Sequence, residues 1–174
     1  MKKIAIIYSP KGGNVDRVSK IISGKFNPNQ ITRACITDLD KNILEETDYW
    51  LVGGSTVGSH NWEDANDINM WHKFFKLLDS IDMKSKTVAF FGLGDQILYP
   101  HHYVDSLGEF QEEFSNRNTK IVGQWPIEGY KFIHSDGVEN EMFYGLAIDE
   151  DNQSKLTEGR VDKWLEGIKK EFGL

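Results

Sequence analysis

A chain of 174 residues, 39% hydrophobic and 27% charged, has the length and make-up of one globular domain, so a single domain over 1–174 is expected. Its 20 Lys and Arg against 27 Asp and Glu leave a net charge of −7, which speaks against nucleic acid as a partner and suits docking onto a basic protein surface; a solvated acidic exterior without functional meaning is the other reading. With one cysteine, Cys35, an internal disulfide is excluded, and no apolar run approaches the ~20 residues of a membrane span, so a cytoplasmic monomer that does not enter the membrane is expected.

Short apolar runs recur at 3–8, 31–36, 49–54, 87–92, 119–124 and 142–148. The first, Ile4-Ala-Ile-Ile-Tyr8, follows two lysines and is too short for the apolar part of a signal peptide; it reads as a buried strand. Asn14 is expected to cap a helix that carries Val15, Val18, Ile21 and Ile22 on its inner face. That places Ser9-Pro-Lys-Gly-Gly-Asn-Val15 between a strand end and a helix start, where anions bind. Cys35 falls in the second run and reads as an inert core thiol. Further helical stripes run through Ile68, Trp71, Phe74, Phe75 and Leu78, through Val104, Leu107, Phe110 and Phe114, and through Val161, Trp164, Leu165, Ile168 and Phe172. Their aromatics read as core rather than as a ligand platform. Strands alternating with helices argue for βαβ units around a parallel sheet, interrupted by a polar, irregular section over 125–141. The histidines, His60, His72, His101, His102 and His134, lack the spacing of a metal site, so no metal is expected. There is no Gly-x-Ser-x-Gly elbow, P-loop lysine motif or Cys-x-x-Cys pair, which argues against hydrolase, triphosphatase and dithiol chemistry.

Two segments, Phe91-Gly-Leu-Gly-Asp-Gln-Ile-Leu-Tyr99 and Gly145-Leu-Ala-Ile-Asp-Glu-Asp-Asn-Gln153, closely resemble long-chain flavodoxins. Trp125-Pro-Ile-Glu-Gly-Tyr130 and Leu156-Thr-Glu-Gly-Arg-Val-Asp-Lys-Trp164 extend the likeness, which covers 3–174. The resemblance implies an α/β fold: a flavodoxin-like doubly wound five-stranded parallel sheet in the order 2-1-3-4-5, helices on both faces, and an insertion in the last strand. It also implies FMN at the switch point between strands 1 and 3, held by the loops after strands 1, 3 and 4.

The first of these loops departs from the family pattern, since its usual hydroxyl positions fall on Pro10, Gly12 and Val15. Backbone donors remain: Gly12 and Gly13 can take positive φ and turn N–H groups inward, beside the positive end of the helix dipole. The Ser-Pro-Lys-x-Gly-Asn sequence resembles the phosphate loop of NAD(P)H-dependent FMN reductases. On that reading Ser9 and Asn14 donate hydrogen bonds and Lys11 adds a full charge; the alternative is a turn with a solvated Lys11. In the loop after strand 3 the resemblance assigns cofactor contacts to Thr56, Val57, Gly58 and Ser59. Val57 stands where the family often has a tryptophan; Trp62 either swings back over the ring or is an ordinary core or rim residue. The Gly58–Ser59 peptide falls where family members turn a carbonyl toward flavin N5–H when FMN takes one electron and a proton; an ordinary glycine turn is the other reading. In the strand-4 loop the backbone of Leu93, Gly94 and Asp95 would read the pyrimidine edge, and Tyr99 would stack on the outer ring face. Asp95, Glu63, Asp64, Asp67 and the run Asp149-Glu-Asp151 would bring carboxylates near the site, and a unit charge at 4 Å costs a reduced, anionic ring about 1 kcal/mol even in bulk water.

The reading these features carry is an FMN-dependent one-electron carrier, working between a reductase and acceptor enzymes that present a basic docking face. Two alternatives stand beside it: an NAD(P)H-dependent flavin or quinone reductase, suggested by the Ser9 to Asn14 sequence, and a flavodoxin-fold interaction module with weakened FMN binding.

Overall fold

The computed structural model describes residues 2–55 and 65–174. Five parallel strands form the core sheet: β1 (Ile4–Tyr8), β2 (Ile31–Cys35), β3 (Tyr49–Ser55), β4 (Thr87–Leu93) and β5 (Lys120–Val122), in the order β2-β1-β3-β4-β5. A parallel strand covered on both faces must be apolar at consecutive positions, and β1 is buried along its whole length. The register brings the ends of β1, β3 and β4 level: Tyr8 pairs with Gly53, and Ser55 with Leu93.

Helices cover both faces. On one, α1 (Asn14–Ser23) and α5 (Thr157–Phe172) enclose a core with Ile4, Ile6, Leu51, Phe91 and Ile148; on the other, α3 (Ala65–Leu78) and α4 (Ser106–Ser115) enclose Ile7, Trp50, Val52 and Phe90. The anticipated stripes are the buried ones: Val15, Val18 and Ile22 in α1, and Val161, Trp164, Leu165, Ile168 and Phe172 in α5. Each fully buried Phe or Leu side chain contributes about 1.5–3 kcal/mol. A short helix α2 (Lys41–Glu46), unmarked by any apolar stripe, starts at Asp40, whose side chain accepts the Asn42 N–H at 2.9 Å.

Three local expectations are corrected. Gly13, not Asn14, is the N-cap of α1, with φ −117°, so only Gly12 of the glycine pair takes a positive φ, at +86°. Val104 precedes α4 at φ +48° and is buried through the loop rather than the helix. The run 142–148 is two strands, β8 (Met142–Phe143) and β9 (Leu146–Ile148), because at Gly145 any Cβ would lie 2.3 Å from the Phe90 carbonyl oxygen and the chain crosses there between sheets.

That crossing explains the split last strand. β5 pairs with the first half of β4 and β9 with its second half, Phe91↔Leu146 through Leu93↔Ile148. Between them the insertion forms a small antiparallel sheet, β6 (Trp125–Pro126), β8 and β7 (Val138–Glu139), so 125–141 is less irregular than its composition suggests. Tyr130 ties it down by donating to the Ala147 carbonyl at 2.6 Å and accepting from Trp125 Nε1 at 2.9 Å, with Tyr103, Phe132 and Phe143 packed around. Among the described residues no helix is long and apolar enough to cross a membrane.

Candidate functional site

At the carboxyl ends of β1, β3 and β4 lies a cleft of about 340 Å³, lined by Pro10, Asn14, Val15, Ser55, Leu93, Gly94, Asp95, Leu98, Tyr99, Glu150 and Asp151. This is where strand order reverses between β1 and β3, the position at which open α/β sheets hold their ligands. Of the residues assigned to the cofactor, Asn14, Val15, Leu93, Gly94, Asp95 and Tyr99 line this one cleft. Ser55, Leu98 and Pro10 join them unanticipated; Leu98 sits inside the quoted strand-4 motif, but nothing in its residue type marked it. Thr56, Val57, Gly58 and Ser59 lie outside the described residues, as do Trp62, Glu63 and Asp64.

At one end of the cleft is the start of α1. A helix leaves its first amides without intrahelical acceptors, and those of Gly13, Asn14, Val15 and Asp16 meet no hydrogen-bond acceptor among the described residues. The first intrahelical bond runs from Arg17 N–H to the Gly13 carbonyl. A Cβ added at Gly12 or Gly13 would meet nothing within 4 Å among the described residues other than their chain neighbours, so no more distant side chain crowds the backbone there. The remaining loop residues face elsewhere. Ser9 is buried and its N–H donates to the Gly53 carbonyl at 3.1 Å, which seats the loop on β3. Lys11 points outward to Asp38, Nζ to Oδ2 2.8 Å, and that contact raises the lysine pKa while lowering the aspartate's. The Gly12 N–H is taken by Asp16 Oδ2 at 3.0 Å.

The cleft is also lined by Tyr99, which is half exposed and whose N–H donates to the Asp95 carbonyl at 2.9 Å. Asp95 Oδ1 accepts from the N–H groups of Ile97 and Leu98 and from Asn152 Nδ2. Burial opposes its charge, but these donors outweigh it and hold the carboxyl below its usual range. Behind the loop lies Asp149, fully buried and so not a wall of the cleft. It accepts from Gln96 N–H at 3.2 Å, Gln96 Nε2 at 2.7 Å, Asn152 N–H at 3.0 Å and Asn152 Nδ2 at 2.9 Å. One carboxylate therefore fixes the loops after β4 and β9 to each other. Glu150 at the cleft wall contacts the Arg17 guanidinium and accepts from the Thr157 hydroxyl.

The arrangement is a mainly apolar cleft of about 340 Å³, lined by an aromatic side chain and by carboxylates, beside helix amides that meet no acceptor among the described residues. It suits a planar heteroaromatic ligand that carries an anionic tail. Among the described residues no group of three or more His, Cys, Asp or Glu is placed to hold a metal ion.

Comparison with known proteins agrees with this geometry. The family model for flavodoxin matches residues 6–164. The flavodoxin of Synechococcus elongatus is 37% identical over 175 residues, covering 100% of both chains, and flavodoxin 1 of Escherichia coli is 36% identical over 170 residues, covering 97% of this chain and 94% of the relative. In three dimensions, the crystal structure of Fusobacterium nucleatum flavodoxin bound to flavin mononucleotide superposes with a TM-score of 0.85 at 26% identity, covering 98% of this chain and 99% of that one. From its sheet order, its cleft and these full-length matches, the chain belongs to the flavodoxin family.

Proposed function

We propose that this chain is an FMN-dependent one-electron carrier that passes electrons from a reductase to acceptor enzymes. The observation that carries this reading is the cleft at the β1/β3 switch point, lined by Tyr99 and by the start of α1, where the amides of residues 13–16 meet no acceptor among the described residues. The residues present fit FMN. Its phosphate suits the amides of residues 13–16, where the helix dipole supplies about half a positive charge. Lys11 sits on the same loop, and an exposed ion pair such as Lys11–Asp38 is worth only about 0–1 kcal/mol, so the ammonium can exchange Asp38 for a phosphate. Asn14 adds a side-chain donor at the cleft wall, and Ser9 seats the loop from beneath.

The ring fits the slot between Val15, Leu93, Leu98 and Tyr99, its pyrimidine edge read by the backbone of residues 93–95. Thr56, Val57, Gly58 and Ser59, which lie outside the described residues, are proposed as further cofactor contacts. FMN supplies the one-electron redox chemistry, and the polypeptide supplies orientation, water exclusion and a field. The cleft carboxylates Asp95 and Asp151, unlike Glu150, which is paired with Arg17, disfavour extra negative charge on the ring, so the chain holds electrons loosely and passes them on. We infer a cytoplasmic location and partners that meet the acidic surface with basic residues. The full-length flavodoxin match favours neither a reductase with its own NAD(P)H turnover nor an interaction module without cofactor.

Spectroelectrochemical titration of the FMN-loaded protein tests this reading. Two separated one-electron steps, with reduction by NADPH only when a flavodoxin reductase is added, are expected. A protein that takes up no FMN, or that oxidises NADPH steadily alone, contradicts it.

A further inference from the structure

The α1 amides stand in a setting that needs explanation, because Asp16 lies in the same first turn of the helix. A carboxylate there occupies the field that a phosphate would use, and two anions within a few ångströms repel. Asp16 is nevertheless buried and ionised. Burial works against its charge, but the Gly12 N–H, Arg33, Tyr8 and Lys20 together hold its carboxyl at about 2.

The details show how. Asp16 sits three residues after the N-cap Gly13, the position from which an acidic side chain commonly reaches back to the cap amide; here it reaches one residue further, to the Gly12 N–H at 3.0 Å. Its other oxygen accepts from Arg33 Nη1 at 2.5 Å, and the same nitrogen donates to Ser19 Oγ at 3.0 Å. The guanidinium lies over the Tyr8 ring, 4.9 Å from its centroid, so a cation from β2 is wedged between β1 and α1. Lys20 is more distant and more exposed, its Nζ 3.4 Å from the carboxylate.

We propose that Arg33, acting through Asp16, sets this chain's preference for a phosphorylated flavin. Asp16 fixes Gly12 in its left-handed turn from behind, a task the loop cannot give to phosphate-bound hydroxyls, since Pro10, Gly12 and Val15 stand at those positions. Arg33 cancels the charge that this brace introduces, so the amides of residues 13–16 face the phosphate without an opposing anion. Arg33 is therefore a positioning residue that does not touch the ligand. The inference rests on the placement of the phosphate proposed above.

The test is calorimetric titration with FMN and with riboflavin, which differ only by the phosphate. Arg33→Met leaves the Asp16 anion with only the more distant, exposed Lys20 as a cationic partner and is expected to weaken FMN about tenfold, the effect of one partly screened unit charge, with riboflavin unchanged within about twofold. The double variant Arg33→Met with Asp16→Asn is expected to recover most of that loss. Asp16→Asn alone leaves an unopposed guanidinium and raises the ratio of FMN to riboflavin affinity; it decides the matter if Arg33→Met does not fold. Equal weakening of both flavins by Arg33→Met, no recovery in the double variant, or an unchanged or lowered ratio in Asp16→Asn overturns the proposal. Those failures are distinct from failure of the site reading, in which the unmodified protein binds neither flavin or does not distinguish them.

Discussion

Asp149 carries the sharpest expectation about how the fold holds the site. Its carboxylate is fully buried and accepts from two backbone amides, Gln96 and Asn152, and from both of those residues' side-chain amides. Asp149→Asn keeps the shape but turns an NH2 group toward donors. The exposed Asn152 side chain can rotate away, whereas the buried Gln96 side chain, which also accepts from the Lys131 N–H, and the two backbone N–H groups cannot. A hydrogen bond to a charged group is worth about 1.5–3 kcal/mol, and one stranded buried donor costs about 1–3 kcal/mol. With roughly half the set lost, the substitution is expected to cost about 3 kcal/mol, read as a shift in urea midpoint at constant slope in the cofactor-free protein. Because Gln96 leads into the segment that carries Tyr99, FMN affinity should fall as well, by about tenfold. Asp151→Asn, on an exposed side chain at the same cleft, should change stability by less than about 0.5 kcal/mol. A loss below about 1 kcal/mol for Asp149→Asn, or a gain, would mean that desolvation of the buried anion outweighs its hydrogen bonds, and would refute the reasoning.

Tyr99→Ala should leave the stability of the cofactor-free protein within about 1 kcal/mol, since the ring is 48% exposed, but weaken FMN binding by about 1–2 kcal/mol and relieve quenching of flavin fluorescence. Acid sensitivity should trace in part to Asp16. Its carboxyl is held at about 2 against an ordinary 3.8, so its contribution is complete above pH 4 or so and is lost as pH falls toward 2. Asp16→Asn should flatten that segment of a stability-versus-pH curve measured by denaturant titration; an unchanged slope would count against the assignment. Gly145→Ala places a methyl group 2.3 Å from the Phe90 carbonyl oxygen, where only backbone movement can make room, and should cost about 3 kcal/mol in thermal or urea unfolding.

The sheet was legible because fully buried parallel strands are written as continuous apolar runs, and β1, β3 and β4 obey that rule. The helices were legible where a stripe meets a core, as at Val161, Trp164, Leu165, Ile168 and Phe172. Elements set by side-chain caps or by close backbone approach were not. The helix α2 depends on the Asp40 cap more than on apolar spacing, and the break between β8 and β9 depends on how near Gly145 passes to Phe90, a contact 55 residues away in sequence. In the site, the resemblance of the strand-4 motif pointed to Tyr99, Asp95 and Gly94, which all line the cleft, and the motif is local enough that Asp95 caps the turn of Ile97 and Leu98 within it. Lys11 shows the limit of such reading. Its charge was evident in the sequence, but its partner Asp38 comes from beyond β2, and only the folded chain brings the two within 2.8 Å. Arg33 is inconspicuous in the sequence for the same reason: on an outer strand it looks like a solvated cation until Asp16, Ser19 and Tyr8 are seen around it.

The most direct test of the account is a crystal structure of this chain grown with FMN. The phosphate is predicted to accept hydrogen bonds from the amides of residues 13–16, with the Tyr99 ring against the outer face of the isoalloxazine. A phosphate bound elsewhere, or a ring that leaves the cleft between residues 9–15 and 93–99 empty, would contradict it.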